Sequence, residues 1–156
     1  VATMVLTCGL AGSGKSTYAR SLEAQGWLRL SIDQQAWDQG FTTHPLPPEI
    51  RLEIIADQRR QLAEALDDGH DVVVDYAFFS RAMRDEYRAI AQQHGAEVEV
   101  ALFDVPREEL LRRLAGRGSA GPDDIAVPAE LLDRFIAGFE WPTADETDVH
   151  PRNVHG

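Results

Sequence analysis

The chain has 156 residues, 44% of them hydrophobic, which is enough for one packed domain and too little for two ordinary ones. With 26 acidic against 15 basic side chains its formal net charge is −11, so the average surface repels nucleic acids and anionic membranes. The single cysteine, Cys8, excludes an intrachain disulfide, no apolar stretch has the length of a membrane span, and Val1-Ala2-Thr3-Met4 is not the start of a signal peptide, so the expected location is cytoplasmic.

The first predicted strand covers residues 5–8 and runs directly into Gly9-Leu10-Ala11-Gly12-Ser13-Gly14-Lys15-Ser16-Thr17. This is a complete G-x-x-x-x-G-K-[S/T] phosphate-binding loop. Its glycines, Gly9, Gly12 and Gly14, let consecutive N–H groups, Ser13 and Thr17 included, curl around anionic oxygens. Lys15 can reach the β- and γ-phosphates of a nucleoside triphosphate, and the Ser16 hydroxyl can ligate Mg²⁺. A helix is expected over 15–24 and a second strand over 28–32. Asp33 then ends that strand on the sheet edge that carries the loop. There it can orient an attacking hydroxyl and accept its proton, or simply cap the next turn.

Residues 34–47 form a connection longer than most in a compact domain, and Trp37 within it is a candidate wall of an acceptor pocket. A helix over 48–67 leads to a third strand, Val72-Val73-Val74-Asp75. An apolar run ending in an acid suits a group that holds Mg²⁺, orients a cation near the acceptor, or caps a helix; ligand sites at strand carboxyl ends favour an active-site role for Asp75. Arg81, Arg84 and Arg88 follow at helical spacing. Arg81 is close enough to the strand end to touch an acceptor, whereas Arg84 and Arg88 read as an exposed face pairing with Asp85 and Glu86.

A fourth strand over 98–103 and a helix over 107–116 complete a β-α-β-α-β-α-β-α order. That order implies an α/β fold, three layers built on a mainly parallel sheet of about four strands. Arg113 and Arg117, four apart, share one helix face and can clamp a triphosphate. Gly118-Ser119-Ala120-Gly121-Pro122-Asp123-Asp124 interrupts the pattern before a helix over 128–138. Residues 113–138 thus read as a helical lid on a single domain spanning 1–156. The tail from Trp141 has no periodicity, and no fifth strand is expected from it.

Taken together, the Gly9–Thr17 loop, Asp33, Val72–Asp75 with its arginine-bearing helix, and Pro106-Arg107-Glu108-Glu109-Leu110 running on to Arg113, Arg117 and Val127-Pro128 resemble a known group. It is the P-loop kinase group of polynucleotide kinase, chloramphenicol phosphotransferase and zeta toxins, small ATP-binding kinases of AAA type. The resemblance implies a phosphotransferase that uses ATP and Mg²⁺ and acts on an alcohol group. Lys15 and Ser16 would handle the donor, Asp33 would be the base, Asp75 a polar active-site residue, and Arg113 and Arg117 the lid arginines.

One departure bears on the acceptor. Polynucleotide kinases carry an arginine just after the base, whereas Gln34-Gln35-Ala36-Trp37-Asp38 follows here and the next cation is Arg51. With the acidic balance, this favours an uncharged or cationic small molecule, antibiotic-like or nucleoside-like. A polynucleotide 5′-hydroxyl kinase is the second expectation, and a non-catalytic ATP-binding regulatory protein the third.

Overall fold

The computed structural model describes residues 1–42, 46–115 and 128–152. Its centre is a five-stranded parallel sheet in the order β2-β3-β1-β4-β5: β1 Thr3–Gly9, β2 Leu28–Leu30, β3 Val72–Val74, β4 Glu97–Phe103 and β5 Val149–Pro151. The helices are α1 Lys15–Ala24, α2 Ile32–Asp38, α3 Pro48–Asp67, α4 Arg81–Gln93, α5 Arg107–Ala115 and α6 Ala129–Gly138.

Strands covered on both faces must be apolar on both, and β3 meets this with three consecutive buried valines. Because successive side chains alternate, Val5, Val73, Ala101 and Phe103 face Ala19 and Leu22 of α1. Met4, Leu6, Cys8, Val72 and Val74 enter the larger core with Ile54 and Leu62 of α3, Ala91 of α4 and Leu110 of α5. The result is the three-layer arrangement expected from the alternation of strands and helices. Cys8 lies wholly inside, and burial pushes its thiol up to about 11, which leaves it an unreactive core residue.

Two boundaries differ from the expectation. The sheet has five strands rather than about four, because the tail folds back and pairs Val149 with Val100 and Pro151 with Leu102. A three-residue edge strand, largely exposed and ending in proline, carries neither alternation nor an apolar run. The second strand, for its part, stops at Leu30. Ser31 is an N-cap whose Oγ accepts from the Gln34 N–H (3.1 Å), so Asp33 lies in the first turn of α2 rather than at a strand end, and the supposed loop is helix as far as Asp38.

Candidate active site

All the chemistry-bearing segments meet at the carboxyl edge of the sheet. Gly9 closes β1, and the loop beyond it turns through Gly12 (φ 81°) and Gly14 (φ 100°), backbone that L side chains rarely adopt. Gly9 is required for a different reason. A Cβ there would lie 2.7 Å from Ser13 Oγ and 2.9 Å from the Phe103 carbonyl oxygen. Ser13 N–H donates to the Leu10 carbonyl (3.1 Å), and Lys15 Nζ arches back to the same oxygen (2.8 Å).

Ser13 Oγ is buried with no hydrogen-bond partner among the described residues. An orphaned hydroxyl inside a cradle of glycine backbone, beside a lysine and at a helix N-terminus, fits a bound phosphate. Ser16 is half-buried in the first turn of α1, where its hydroxyl type suits Mg²⁺; Thr17 beside it is exposed. No cluster of three or more His, Cys, Asp or Glu side chains with metal-holding geometry occurs among the described residues.

α5 approaches the loop from the other side. Leu114 packs at the Gly12 position, and Arg113 Nη1 donates to the Gly12 carbonyl (3.1 Å) while its Nε donates to Glu109 Oε1 (3.0 Å). Hydrogen bonds from Arg112 and Arg113 hold the Glu109 carboxyl down at about 2, so it stays an anion that fixes both arginines. Arg113 is therefore seated on the phosphate cradle. Arg117 lies outside the described residues, as does the segment from 116 to 127.

The opposite side of the edge is built around a pair that the sequence reading missed. Arg29, in the middle of β2, places Nε and Nη2 at 3.1 and 2.8 Å from Asp75 Oδ2, with both side chains only 3% exposed. Asp75 N–H also donates to the Leu30 carbonyl (2.8 Å), fixing the end of β3 against the entrance to α2. Asp75 thus orients a buried cation, Arg29, while the cap of the following helix is Ser80, whose Oγ accepts from the Met83 N–H. The local signal was available: a cation between two leucines in a buried strand demands a nearby acid. Asp33 and Trp37 are half-buried and four residues apart, on one face of α2.

The segment after Asp75 is held from several directions. The Tyr76 carbonyl accepts from Thr7 Oγ1 (2.8 Å), the Ala77 carbonyl from the Gly9 N–H (3.2 Å) and the Phe79 carbonyl from the Glu140 N–H (2.7 Å). Phe78 sits at φ 47°, an uncommon conformation for a bulky residue, and its carbonyl accepts from Arg84 Nη1 (2.9 Å). Tyr76 and Phe78 stack and meet Tyr87 edge-on, so these rings belong to the core; Phe79 is exposed.

The arginine helix departs most from expectation. Arg84 is 1% exposed and Arg88 half-buried, so they do not form a solvated face. Arg84 makes a two-pronged contact with Glu146 (2.9 and 3.2 Å), and Arg88 bonds Glu146, Asp148 and Asp85. Burial pushes the Glu146 carboxyl up, but hydrogen bonds from Arg84, the Thr143 N–H and Arg88 outweigh it and hold the group at about 2. Arg81 bonds Asp85, Asp145 and Thr143, which ties it to the tail.

A protein-family model of the AAA domain matches residues 4–142. The chain belongs to the AAA domain family. A nucleotide-binding protein of Anaeromyxobacter dehalogenans (strain 2CP-C) is 30% identical to this AAA domain over 167 residues, covering 97% of the chain and 49% of the relative. The chain thus spans about half the length of the curated relatives it matches. Among solved structures, a gluconokinase from Sinorhizobium meliloti 1021 superposes with a TM-score of 0.67 at 22% identity, over 99% of this chain and 83% of that one. A chain of the Pnkp1/Rnl/Hen1 RNA repair complex gives 0.76 at 21% identity, over 88% and 43%. At such identities the likeness concerns the fold, which is the P-loop kinase fold that the motifs anticipated. None of the described helices is long and apolar enough to cross a membrane.

Proposed function

We propose that this AAA domain is a kinase that moves the γ-phosphoryl group of ATP onto a hydroxyl of an uncharged small molecule. What carries the reading is the pairing, on one sheet edge, of a phosphate cradle holding Lys15 and Arg113 with a carboxylate, Asp33, at the mouth of α2. A passive nucleotide binder needs the first and has no use for the second.

In this reading Lys15 leaves its Leu10 contact for the β- and γ-phosphate oxygens. Arg113, with Arg117 four positions on in the sequence, balances charge as the phosphoryl group moves. Ser16 would hold Mg²⁺, which would supply further charge neutralisation. Asp33 orients the acceptor hydroxyl in line and takes its proton as the new O–P bond forms and the bond to the ADP leaving oxygen breaks. Trp37, one turn beyond Asp33, lines the acceptor side. Asp75 acts by holding Arg29, and Arg81, engaged with the tail, stands outside the acceptor site.

Because Asp75 already balances Arg29, the acceptor side presents no uncompensated buried cation from that pair, which supports an uncharged acceptor. ADP release from MgATP, measured against aminoglycosides, nucleosides, sugars and 5′-hydroxyl oligonucleotides, tests this. Stimulation by an uncharged small alcohol is expected. Stimulation by oligonucleotides alone would replace the acceptor class, and tight ATP binding with no stimulated release would remove the enzyme reading.

A further inference from the structure

One buried residue breaks the pattern of its own helix. The core-facing stripe of α3 runs Ile54, Gln58, Leu62 and Leu66, at intervals of four; three members are aliphatic and the second is an amide that is 2% exposed. A leucine at 58 would continue the stripe. Departures from binary patterning that cost desolvation concentrate at functional sites.

The amide is fully used. Gln58 Nε2 donates to the Ser31 carbonyl (3.0 Å) and to Gln35 Oε1 (3.1 Å), and Gln58 Oε1 accepts from the Tyr76 hydroxyl. Burial pushes the Tyr76 hydroxyl far above its ordinary range, so it remains a neutral donor. That assigns Oε1 as its acceptor and leaves Nε2 to face Ser31 and Gln35. Gln35 in turn donates to Asp57 Oδ2 (3.1 Å), which also accepts from Gln61 (3.0 Å), so α2 is bound to α3 at two levels.

Ser31 and Gln35 bracket Asp33. The Ser31 carbonyl already accepts the first helical bond of α2, from the Gln35 N–H (3.1 Å), and the Gln58 bond is its second. The other end of the amide reaches Tyr76, the residue after Asp75. Through one side chain, the turn that presents Asp33 is thus referenced to the strand end that holds Arg29.

We infer that Gln58 is a positioning residue for Asp33, holding the first turn of α2 in register with the Asp75–Tyr76 strand end. The inference rests on the reading of Asp33 as the base. Gln58 touches no reacting atom, so its effect must pass through the carboxylate.

A double-mutant cycle between Gln58→Leu and Asp33→Asn, read as ADP release from MgATP with water and with the stimulating alcohol of the panel above, tests it. Gln58→Leu is expected to lower the rate at least tenfold, to shift the acidic limb of its pH profile and to leave ADP affinity at wild type, with a lower melting temperature because the Tyr76 hydroxyl loses its acceptor. In the Asp33→Asn background the same substitution is expected to add nothing. Equal losses in both backgrounds, or a wild-type rate for Gln58→Leu beside a slow Asp33→Asn, would overturn the positioning role while leaving the base in place. A wild-type rate for Asp33→Asn would overturn both. Should Gln58→Leu fail to fold, Tyr76→Phe, which deletes one hydroxyl from the same network, replaces it in the cycle with a smaller loss of about threefold expected.

Discussion

Among the described residues, two buried arginine–carboxylate pairs, Arg84–Glu146 and Arg29–Asp75, differ in their surroundings. Arg84 meets Glu146 with both prongs on separate oxygens, backed by Arg88, the Thr143 N–H and the Phe78 carbonyl, at a place where the tail is pinned to α4. Arg29 places Nε and Nη2 on a single oxygen of Asp75, at the ligand edge and beside the turn that carries Asp33. The first pair is completed by scaffold on every side and reads as architecture. The second lies at the carboxyl edge of the sheet, where the proposed acceptor would bind. Burial and pairing are alike in the two; what separates their roles is position relative to the carboxyl edge of the sheet.

Breaking one partner of the architectural pair has the largest expected effect. Arg84→Ala strands Glu146 without its main partner in the interior, and a loss of about 3–5 kcal/mol in unfolding free energy is expected from denaturant titration. Replacing whole pairs sharpens the contrast. Arg84→Met with Glu146→Leu is expected to restore most of that stability and to keep phosphoryl transfer, because no buried charge is left alone. Arg29→Met with Asp75→Leu is expected to fold equally well and to lose transfer by about 10²-fold, since the acceptor edge has lost its charged groups.

Acid tests the architectural pair more gently. The Glu146 carboxyl is held at about 2 in the folded chain against an ordinary value of 4.5. A carboxylate with a depressed folded value stabilises fully above its unfolded value and loses that contribution as pH falls. The melting temperature should therefore decline between pH 4.5 and 2. In Glu146→Gln part of that decline should vanish, because the penalty is already present at neutral pH. The smallest expected effect is that of Arg81→Ala. Its guanidinium is 41% exposed and lies 3.8 Å from Glu146 at the rim of the same network, so both melting temperature and transfer should stay near wild type.

What was legible in the sequence was local. The phosphate loop is nine consecutive residues whose glycines, lysine and serine each have a fixed task, and the alternation of apolar runs with helical periods was sufficient for a parallel three-layer fold. The acceptor side was partly legible: Asp33 and Asp75 were recognisable as acids near strand ends, although α2 begins earlier than its polar composition suggested. Arg29 signalled a need for an acid without saying which, and Gln58 gave no sign of its role, because their partners stand 46 and 27 positions away and no spacing rule links them. Arg84 and Arg88 misled for the same reason. On an amphipathic helix rich in charge, arginines next to Asp85 and Glu86 look solvated until a glutamate 62 residues downstream folds over them. The strand β5 that brings that glutamate back is three residues long and had no pattern to read.

In the proposed kinase Asp33 takes the acceptor's proton. Transfer of labelled γ-phosphate from MgATP to the stimulating alcohol, compared between wild type and Asp33→Asn at matched nucleotide occupancy, measures that directly. A fall of about 10²–10⁴-fold in transfer with unchanged ADP affinity is the predicted result; transfer at the wild-type rate would contradict it.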